Sequence, residues 1–236
     1  RTEPAGRTET AQAAGDDSKR LLAEWHGQDR LSYVITPRFS PTSTPEQLSA
    51  LGALWAENPN CLMQTHLSEQ VDEIAWVKEL FPQSRDYLDT YEAQGLLREG
   101  AVYGHAIHLT GREKDRLIEA GASLVHCPTS NTFIGSGLFD MSLAQHLRVG
   151  LATDTGGGSS FSMLHTMAAA YEIGQLRGQL ASVPGSRTDI FAANEAIADV
   201  QIKSTRQLYI FGKSGGETTV TLKGEGRGGR AAPALA

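Results

Sequence analysis

Residues 101–127 read AVYGHAIHLTGREKDRLIEAGASLVHC, and this stretch contains a strand, a helix and a second strand in succession. The apolar run at 101–106 predicts the first strand. Thr110 and Glu113 have the spacing of a capping box, which predicts a helix that begins there and ends near Gly121. The second strand is predicted at 122–127. Because a helical crossover joins parallel strands, this stretch predicts an α/β fold.

The same alternation continues on both sides of this unit. Thr44 and Pro45 have the pattern of an N-cap followed by proline at the first helical position, which predicts a helix to about Glu57. The other expected elements are strands at 31–36, 61–66 and 149–154 and helices at 18–26, 69–81, 84–94 and 162–176. The helix at 69–81 is expected to face inward with Val71, Ile74, Val77 and Phe81. Five strands separated by helices predict a parallel sheet with helices outside it.

The periodicity and the composition of the sequence change after residue 178. The segments 207–211 and 218–222 alternate and flank a glycine-rich turn, which predicts a β-hairpin. Residues 224–236 are rich in Gly, Arg and Ala and are predicted to be disordered. The sequence therefore predicts two parts, an α/β part at 1–178 and a C-terminal segment at 179–236.

Composition narrows the class of protein. The chain has 236 residues, of which 40% are hydrophobic and 20% charged, as is usual for a soluble globular domain. Its formal net charge of -6 argues against a nucleic-acid partner. With no signal peptide and no apolar run of bilayer length, we expect no membrane association and a cytoplasmic location. The chain begins with Arg1 and not with Met, so we expect a processed product or a fragment.

The two cysteines, Cys61 and Cys127, do not form a CxxC pair, so they indicate no structural zinc motif. Isolated cysteines of this kind are usually buried and reduced.

Four polar side chains fall at the carboxyl ends of predicted strands: Arg38, His66, His105 and Asp154. Ligands of α/β proteins bind at that end of the sheet. Each residue also has a simpler explanation. A strand-end histidine is often an ordinary core residue, and Asp154 could cap the turn that follows it. Together they favour a functional site, since a buried carboxylate needs a cation or hydrogen-bond donors.

Two imidazoles and a carboxylate suit zinc and a bound water, whose pKa zinc lowers to about 7. Glu69, three residues after His66, could carry the proton, although an acidic residue is also favourable at a helix N-terminus. His108 is expected to be structural or at the surface. The remaining histidines are assigned no role: His26, His126, His146 and His165.

The motifs around these residues resemble the guanine deaminases, which are zinc enzymes of the amidohydrolase superfamily. The resemblance covers roughly residues 14–178. The matching motifs, in order, are ITPRFSPTSTPEQ at 35–47, QTHLSE at 64–69, GHAIHL at 104–109, HCPTSN at 126–131, GSGLF at 135–139, and TD at 153–154 followed by SFSM at 160–163.

The resemblance implies strands four to eight of a distorted (β/α)8 barrel with one catalytic zinc. It implies that His66 and Asp154 bind the zinc, that Glu69 is the proton shuttle, and that His105 contacts the substrate and the attacking water. Arg38 and Phe39, together with His66, are expected to hold the purine. The implied reaction is hydrolysis of guanine to xanthine and ammonia in purine catabolism, by a homodimer.

The sequence departs from this family in two ways. The family has a His-x-His pair on its first barrel strand, and this chain contains none. Because His66 and Asp154 alone would leave zinc underligated, we expect the chain in isolation to be inactive. The likeness also ends near Gly178, which suggests a frameshift or a fusion at that point.

Two alternatives stay open at this stage. One is a related amidohydrolase that acts on another heterocycle, such as a triazine or a pyrimidine, although the Arg38–Phe39 pair disfavours it. The other is a non-catalytic fragment or interaction module that binds no metal.

Overall fold

The computed structural model describes residues 6, 8–182, 190–192, 198–204, 207–212, 217–222 and 232–235, with side chains for 6 and 8–178. The chain divides into two compact units, Arg1–Tyr171 and Glu172–Ala236.

The first unit is built on a sheet of five strands in the order β1-β2-β3-β4-β5, in which every neighbouring pair is parallel. The strands are β1 (Val34–Ile35), β2 (Leu62–Leu67), β3 (Ala101–His105), β4 (Ser123–His126) and β5 (Arg148–Leu151). The predicted parallel sheet is thus confirmed. All five carboxyl ends therefore meet at one edge of the sheet.

The helices that connect and flank these strands are α1 (Ala11–Trp25), α2 (Pro45–Glu57), α3 (Val71–Leu80), α4 (Asp89–Glu92), α5 (Gly111–Glu119), α6 (Pro128–Ile134) and α7 (Met163–Ser182). The predicted caps are confirmed for α2 and α5. The Thr44 hydroxyl accepts a hydrogen bond from the Gln47 amide at 3.2 Å, and Thr110 and Glu113 form the full capping box. Short polar signals at the helix starts therefore set these two boundaries.

The hydrophobic core lies on one side of the sheet. In β2, Met63, Thr65 and Leu67 are buried, whereas Leu62 and Gln64, which point to the opposite face, are exposed. Trp55 and Tyr103 are among the largest side chains in the core. The helical layer thus covers the Met63 face. The face that carries Gln64 and His66 borders a cavity of about 200 Å³ at the carboxyl ends of the strands.

Several sequence-based expectations need correction. Val71 is 64% exposed and does not face the core, although Val77 does. The helix expected at 84–94 is reduced to α4, because Asp86 accepts a hydrogen bond from the Asp89 amide and holds the preceding residues in a turn. Helix α1 begins earlier than residue 18, and α6 was not predicted. Its sequence, PTSNTFI, lacks an apolar repeat of helical period.

The second unit contains β6 (Ile190–Ala192), β7 (Ala198–Ser204), β8 (Gln207–Gly212), β9 (Glu217–Leu222) and β10 (Ala232–Leu235). The predicted hairpin between 207–211 and 218–222 is wrong in its pairing. Both strands form, but β8 pairs with β7, and β9 pairs with β6 and β10, all antiparallel. Alternation predicts a strand but does not specify its partner.

The tail expected to be disordered at 224–236 includes β10. The remainder of that tail and the expected turn at 213–216 lie outside the described residues. Among the helices of the described ranges, none is long and apolar enough to cross a membrane.

Candidate metal centre

Three potential metal ligands meet at the carboxyl edge of the parallel sheet. His66 lies in β2, His105 ends β3, and Asp154 follows β5 by three residues. One ligand atom from each lies within 4.8 Å of the others. The His105 Nε2 atom is 3.9 Å from Asp154 Oδ2, and the two imidazole rings are stacked with their centroids 5.3 Å apart. The structure therefore brings together three residues separated by 39 and 49 positions in the sequence.

The backbone around this centre is strained. Positive φ angles occur at Ser68 (47°), His105 (67°), Ala106 (50°) and Asp154 (46°), all close to the three ligands in sequence. Each such residue costs on the order of 1–3 kcal/mol, and the surrounding structure must hold it in place. Hydrogen bonds do so here, since the amides of Ile107 and His108 both donate to the Ser68 carbonyl. Strain of this kind is typical of functional sites.

The donor set fits a zinc ion. His66 Nδ1 lies 2.6 Å from the Arg38 carbonyl oxygen, which can only accept, so Nδ1 carries the proton and Nε2 keeps a free lone pair. Asp154 is about one-third exposed and can present an oxygen. Two histidines and a carboxylate match the three protein ligands usual at catalytic zinc sites. The residues alone predicted two imidazoles and a carboxylate at the metal, whereas the family resemblance implied only His66 and Asp154. The geometry brings His105 together with the other two as a third donor.

Glu69 lies beside the centre and outside the cluster of three ligands. Its Oε1 atom is 3.4 Å from His105 Nδ1 and accepts a hydrogen bond from the Ser136 hydroxyl at 3.1 Å. Its neighbour Glu73 accepts a hydrogen bond from Tyr87, and burial raises the pKa of the Glu73 carboxyl. Glu69 is therefore held next to His105, although it does not line the cavity that borders the three ligands.

Arg38 and Phe39 follow β1 and lie next to His66. The ring centroids of Phe39 and His66 are 6.0 Å apart, and the Arg38 guanidinium carbon lies 5.2 Å from the centroid of the Phe39 ring. The Phe39 ring thus lies near the histidine, and the Arg38 guanidinium lies over that ring.

The cavity of about 200 Å³ borders His66, His105 and Asp154 and is also lined by Cys127. Burial, and secondarily the charge of Asp154, raises the pKa of the Cys127 thiol to about 12. The thiol is therefore protonated at neutral pH in the metal-free chain. Both cysteines are buried and free, as expected from the sequence.

Two histidines outside the cluster show contrasting surroundings. His108 Nε2 bonds the Ser136 carbonyl at 2.7 Å, which fits the structural role expected from the sequence. His126, to which the sequence assigned no role, is fully buried and stacks on Phe139 at 4.7 Å. Burial, with a further contribution from the charge of His105, lowers the pKa of His126 to about 4. His126 is therefore neutral at pH 7.

Two contacts of the site residues were not predicted from the sequence: Asn131 contacts His105, and Ser136 contacts Glu69. Asn131 and Ser136 lie inside the quoted motifs HCPTSN and GSGLF. Polar residues directly after a buried strand were a signal in the sequence that these segments contribute to the site. That signal did not indicate which side chain each residue would contact.

Comparison with known proteins relates this site to a family. Residues 5–198 match the amidohydrolase family, and residues 168–231 match the pilus formation protein N-terminal region. Guanine deaminase from Escherichia coli is 45% identical over 180 residues, which are 75% of this chain and 41% of that protein.

Two solved structures are also similar. Guanine deaminase from Bradyrhizobium japonicum superposes with a TM-score of 0.76 at 38% identity, covering 80% of this chain and 42% of that one. Guanine deaminase from C. acetobutylicum, which has guanine bound in its active site, superposes with a TM-score of 0.73 at 29% identity, covering 76% and 44%.

The chain spans about two fifths of the length of the curated relatives it matches. The structural likeness confirms the predicted fold class, an α/β chain whose five parallel strands form part of a distorted (β/α)8 barrel. Since the family match covers most of the sequence and includes every residue of the candidate centre, the chain belongs to the amidohydrolase family.

Proposed function

We propose that this site carries out the zinc-dependent hydrolysis of guanine to xanthine and ammonia. The observation that carries the proposal is the convergence of His66, His105 and Asp154 at the carboxyl edge of the sheet, beside Arg38 and Phe39. The relatives named guanine deaminase support guanine as the substrate.

The three converging side chains would hold one zinc ion. Bound zinc supplies a Lewis acid that lowers the pKa of water to about 7, so that hydroxide is available near neutral pH. His66 contributes through Nε2, since its Nδ1 atom is engaged with the Arg38 carbonyl. Asp154 contributes a carboxylate oxygen. This proposal assigns His105 to the metal in addition to the contact with substrate and water implied by the resemblance.

Glu69 and Asp154 would handle the protons of the reaction. Water adds to the ring carbon that bears the amino group, the bond from that carbon to the amino nitrogen breaks, and ammonia leaves. Asp154 accepts one proton from the water, and Glu69 delivers its own proton to a ring nitrogen. The proton on Asp154 then passes to the departing amino nitrogen, and the remaining hydroxyl proton returns to Glu69 as the carbonyl of xanthine forms, so both carboxyl groups regain their starting states. Glu69 is held for this role by the Ser136 hydroxyl at 3.1 Å.

Arg38 and Phe39 would orient the purine next to the centre. The Arg38 guanidinium can donate to the carbonyl oxygen of guanine, and the Phe39 ring offers an apolar face against the purine. A purine held in this way has its amino-bearing carbon fixed relative to the proton-carrying residues, which lowers the entropic part of the barrier.

The test is a zinc titration of the full chain followed by assays on guanine, a triazine and cytosine. Zinc near one per chain, with guanine turnover at least tenfold above the turnover of Asp154→Ala, would support the proposal and would overturn the inactivity expected of the chain in isolation. Turnover of the triazine or of cytosine without turnover of guanine would favour the related-amidohydrolase alternative. A zinc-loaded chain that turns over none of the three would favour the non-catalytic alternative and the expected inactivity of the chain in isolation.

We also propose a cytoplasmic homodimer that acts in purine catabolism, on the basis of the resemblance. Sedimentation measured at several protein concentrations tests the dimer, and cell fractionation tests the location. A monomer throughout the concentration range would contradict the dimer.

We propose in addition that residues 179–236 have an origin separate from 1–178. The match of residues 168–231 to the pilus formation protein N-terminal region supports a fusion, and the proposed junction at 178 falls where this match overlaps the amidohydrolase match at 5–198. Translation of the other two reading frames after codon 178 tests the proposal. If one frame restores the amidohydrolase pattern, a frameshift replaces the fusion as the explanation.

A further inference from the structure

Asn131 lies against the imidazole of His105 from α6. Its Oδ1 atom is 2.8 Å from His105 Nδ1. Asn131 is buried, with only 1% of its surface exposed. His105 is equally buried, at 2% exposed. The contact joins two residues 26 positions apart. His105 ends β3, and Asn131 lies in α6, which follows the neighbouring strand β4.

The groups around His105 Nδ1 are acceptors. Besides Asn131 Oδ1, the Glu69 carboxylate approaches the same nitrogen at 3.4 Å. A nitrogen that faces an amide oxygen and a carboxylate is favoured in its protonated form, because neither group can donate to a lone pair. In a neutral imidazole the lone pair then resides on Nε2, the atom that lies 3.9 Å from Asp154 Oδ2.

The backbone holds Asn131 firmly in this position. The backbone N–H of Asn131 donates to the backbone carbonyl of Cys127 at 2.9 Å, and the backbone carbonyl of Asn131 accepts from the backbone N–H of Ser136 at 2.8 Å. The Ser136 side chain in turn donates to Glu69. The segment from Asn131 to Ser136 therefore holds both acceptors that face His105 Nδ1.

We propose that Asn131 is a positioning residue that fixes His105 in the tautomer with the proton on Nδ1 and the Nε2 lone pair directed into the metal centre. The inference deepens the proposed function in that it rests on the proposed metal centre, but it does not depend on guanine as the substrate. With the opposite tautomer, His105 would present an N–H at the centre and could not bind a cation there.

The first experiment records the ring ¹⁵N spectrum of the metal-free full chain at neutral pH, with the His105 signals identified by their loss in His105→Asn. Asparagine is chosen for the assignment because it tolerates the positive φ at this position. We expect His105 to carry its proton on Nδ1. A neutral ring with its proton on Nε2 and its lone pair on Nδ1 in the unsubstituted chain would overturn the proposal, whether or not any variant folds.

The second experiment compares three variants by the same spectrum and by zinc titration. Asn131→Leu preserves volume but removes the acceptor, so we expect loss of the single tautomer and a 10- to 100-fold weaker zinc affinity, as is usual when the partner of a metal-binding histidine is removed. Asn131→Asp keeps an acceptor oxygen and should restore both properties to within a few-fold.

Ser130→Ala is the matched control. Ser130 is a buried neighbour on the same helix, and its hydroxyl has no hydrogen-bond partner within the part of the chain that the structure describes. We expect this variant to keep the His105 tautomer and the zinc affinity. Equal effects of Asn131→Leu and Ser130→Ala, or an unchanged tautomer in Asn131→Leu, would show that Asn131 has only a packing role. None of these readouts uses guanine, so they can fail or succeed independently of the proposed reaction.

Discussion

At His105 and Ala106 the backbone turns through two consecutive residues with positive φ, directly where β3 ends. Side chains with a Cβ atom disfavour this conformation by roughly 1–2 kcal/mol per residue. His105 retains it while its side chain reaches Asp154 and Asn131. The sequence could not predict the strain, because histidine and alanine are unremarkable at the end of a strand.

Ala106→Gly should therefore cost the chain less stability than Ala101→Gly. Both alanines are buried, so each substitution loses a buried methyl group and makes the unfolded chain more flexible. Glycine at 106 also removes the cost of the positive φ, roughly 1–2 kcal/mol, whereas Ala101 lies in β3 at an ordinary φ. Urea denaturation measures both variants, and equal losses would contradict the account of strain.

Glu69→Gln should separate metal binding from turnover. The amide keeps the size of the side chain but cannot carry a proton at neutral pH. In a full-length parent enzyme we expect unchanged zinc stoichiometry and a decrease in guanine turnover on the order of 10²- to 10⁴-fold. Turnover at the level of the unsubstituted parent would refute the role of Glu69 as the proton carrier.

His126 should make the metal-free chain less stable in acid. Its pKa is lowered from 6.5 to about 4 by burial and secondarily by His105. Between those two pH values the unfolded chain binds more protons than the folded chain, so stability falls as the pH decreases through this window. At about 1.36 kcal/mol per pKa unit, the loss is about 3 kcal/mol.

The matched variant for this prediction is His126→Phe, which keeps a flat ring against Phe139. Urea unfolding at pH 7 and pH 4, with a chelator present, should show a smaller loss of stability in the variant. Equal losses in both chains would mean that His126 does not titrate in this window.

At the scale of elements, the helices whose starts carry a capping motif are the ones that sequence patterns placed well. Thr44 and Thr110 make the expected side-chain contacts with the third residue after them. Helix α6 was missed because its residues serve contacts with other elements and show no apolar stripe. Its positions 129–131 are buried polar residues, which a periodicity argument does not count.

Two glycines in helices should respond oppositely to the same substitution. In α2, a Cβ on Gly52 would overlap the Gln94 carbonyl oxygen, so Gly52→Ala should lose about 3 kcal/mol through overpacking. In α1, nothing lies within 4 Å of a Cβ on Gly15, so Gly15→Ala should gain about 0.5–1 kcal/mol through helix propensity. Urea denaturation compares the two, and a gain from Gly52→Ala would contradict the close packing of α2.

For the whole molecule, the metal centre links three strands of the sheet into one site. A ligand that binds only the folded state stabilises it by about 2.7 kcal/mol at a concentration 100 times its Kd. The ends of β2, β3 and β5 are therefore expected to become more stable together when zinc binds at His66, His105 and Asp154.

Zinc should accordingly raise the thermal midpoint of the chain by several degrees, and a chelator should reverse the increase. Asp154→Ala removes one of three donors and should abolish most of the zinc-dependent increase. Calorimetry with and without zinc measures both. A midpoint that zinc does not change in the unsubstituted chain would argue against the metal centre.

The local signals in the sequence were sufficient for the parallel sheet, for the starts of α2 and α5, and for the positions of Arg38, His66, His105 and Asp154 at strand ends. Periodicity and capping depend on residues three or four apart, so one sequence can display them. Only the folded chain decided the partners of β8 and β9 and the contact of Asn131 with His105. They join residues that are distant in sequence, and their distances depend on how strands and helices pack against one another.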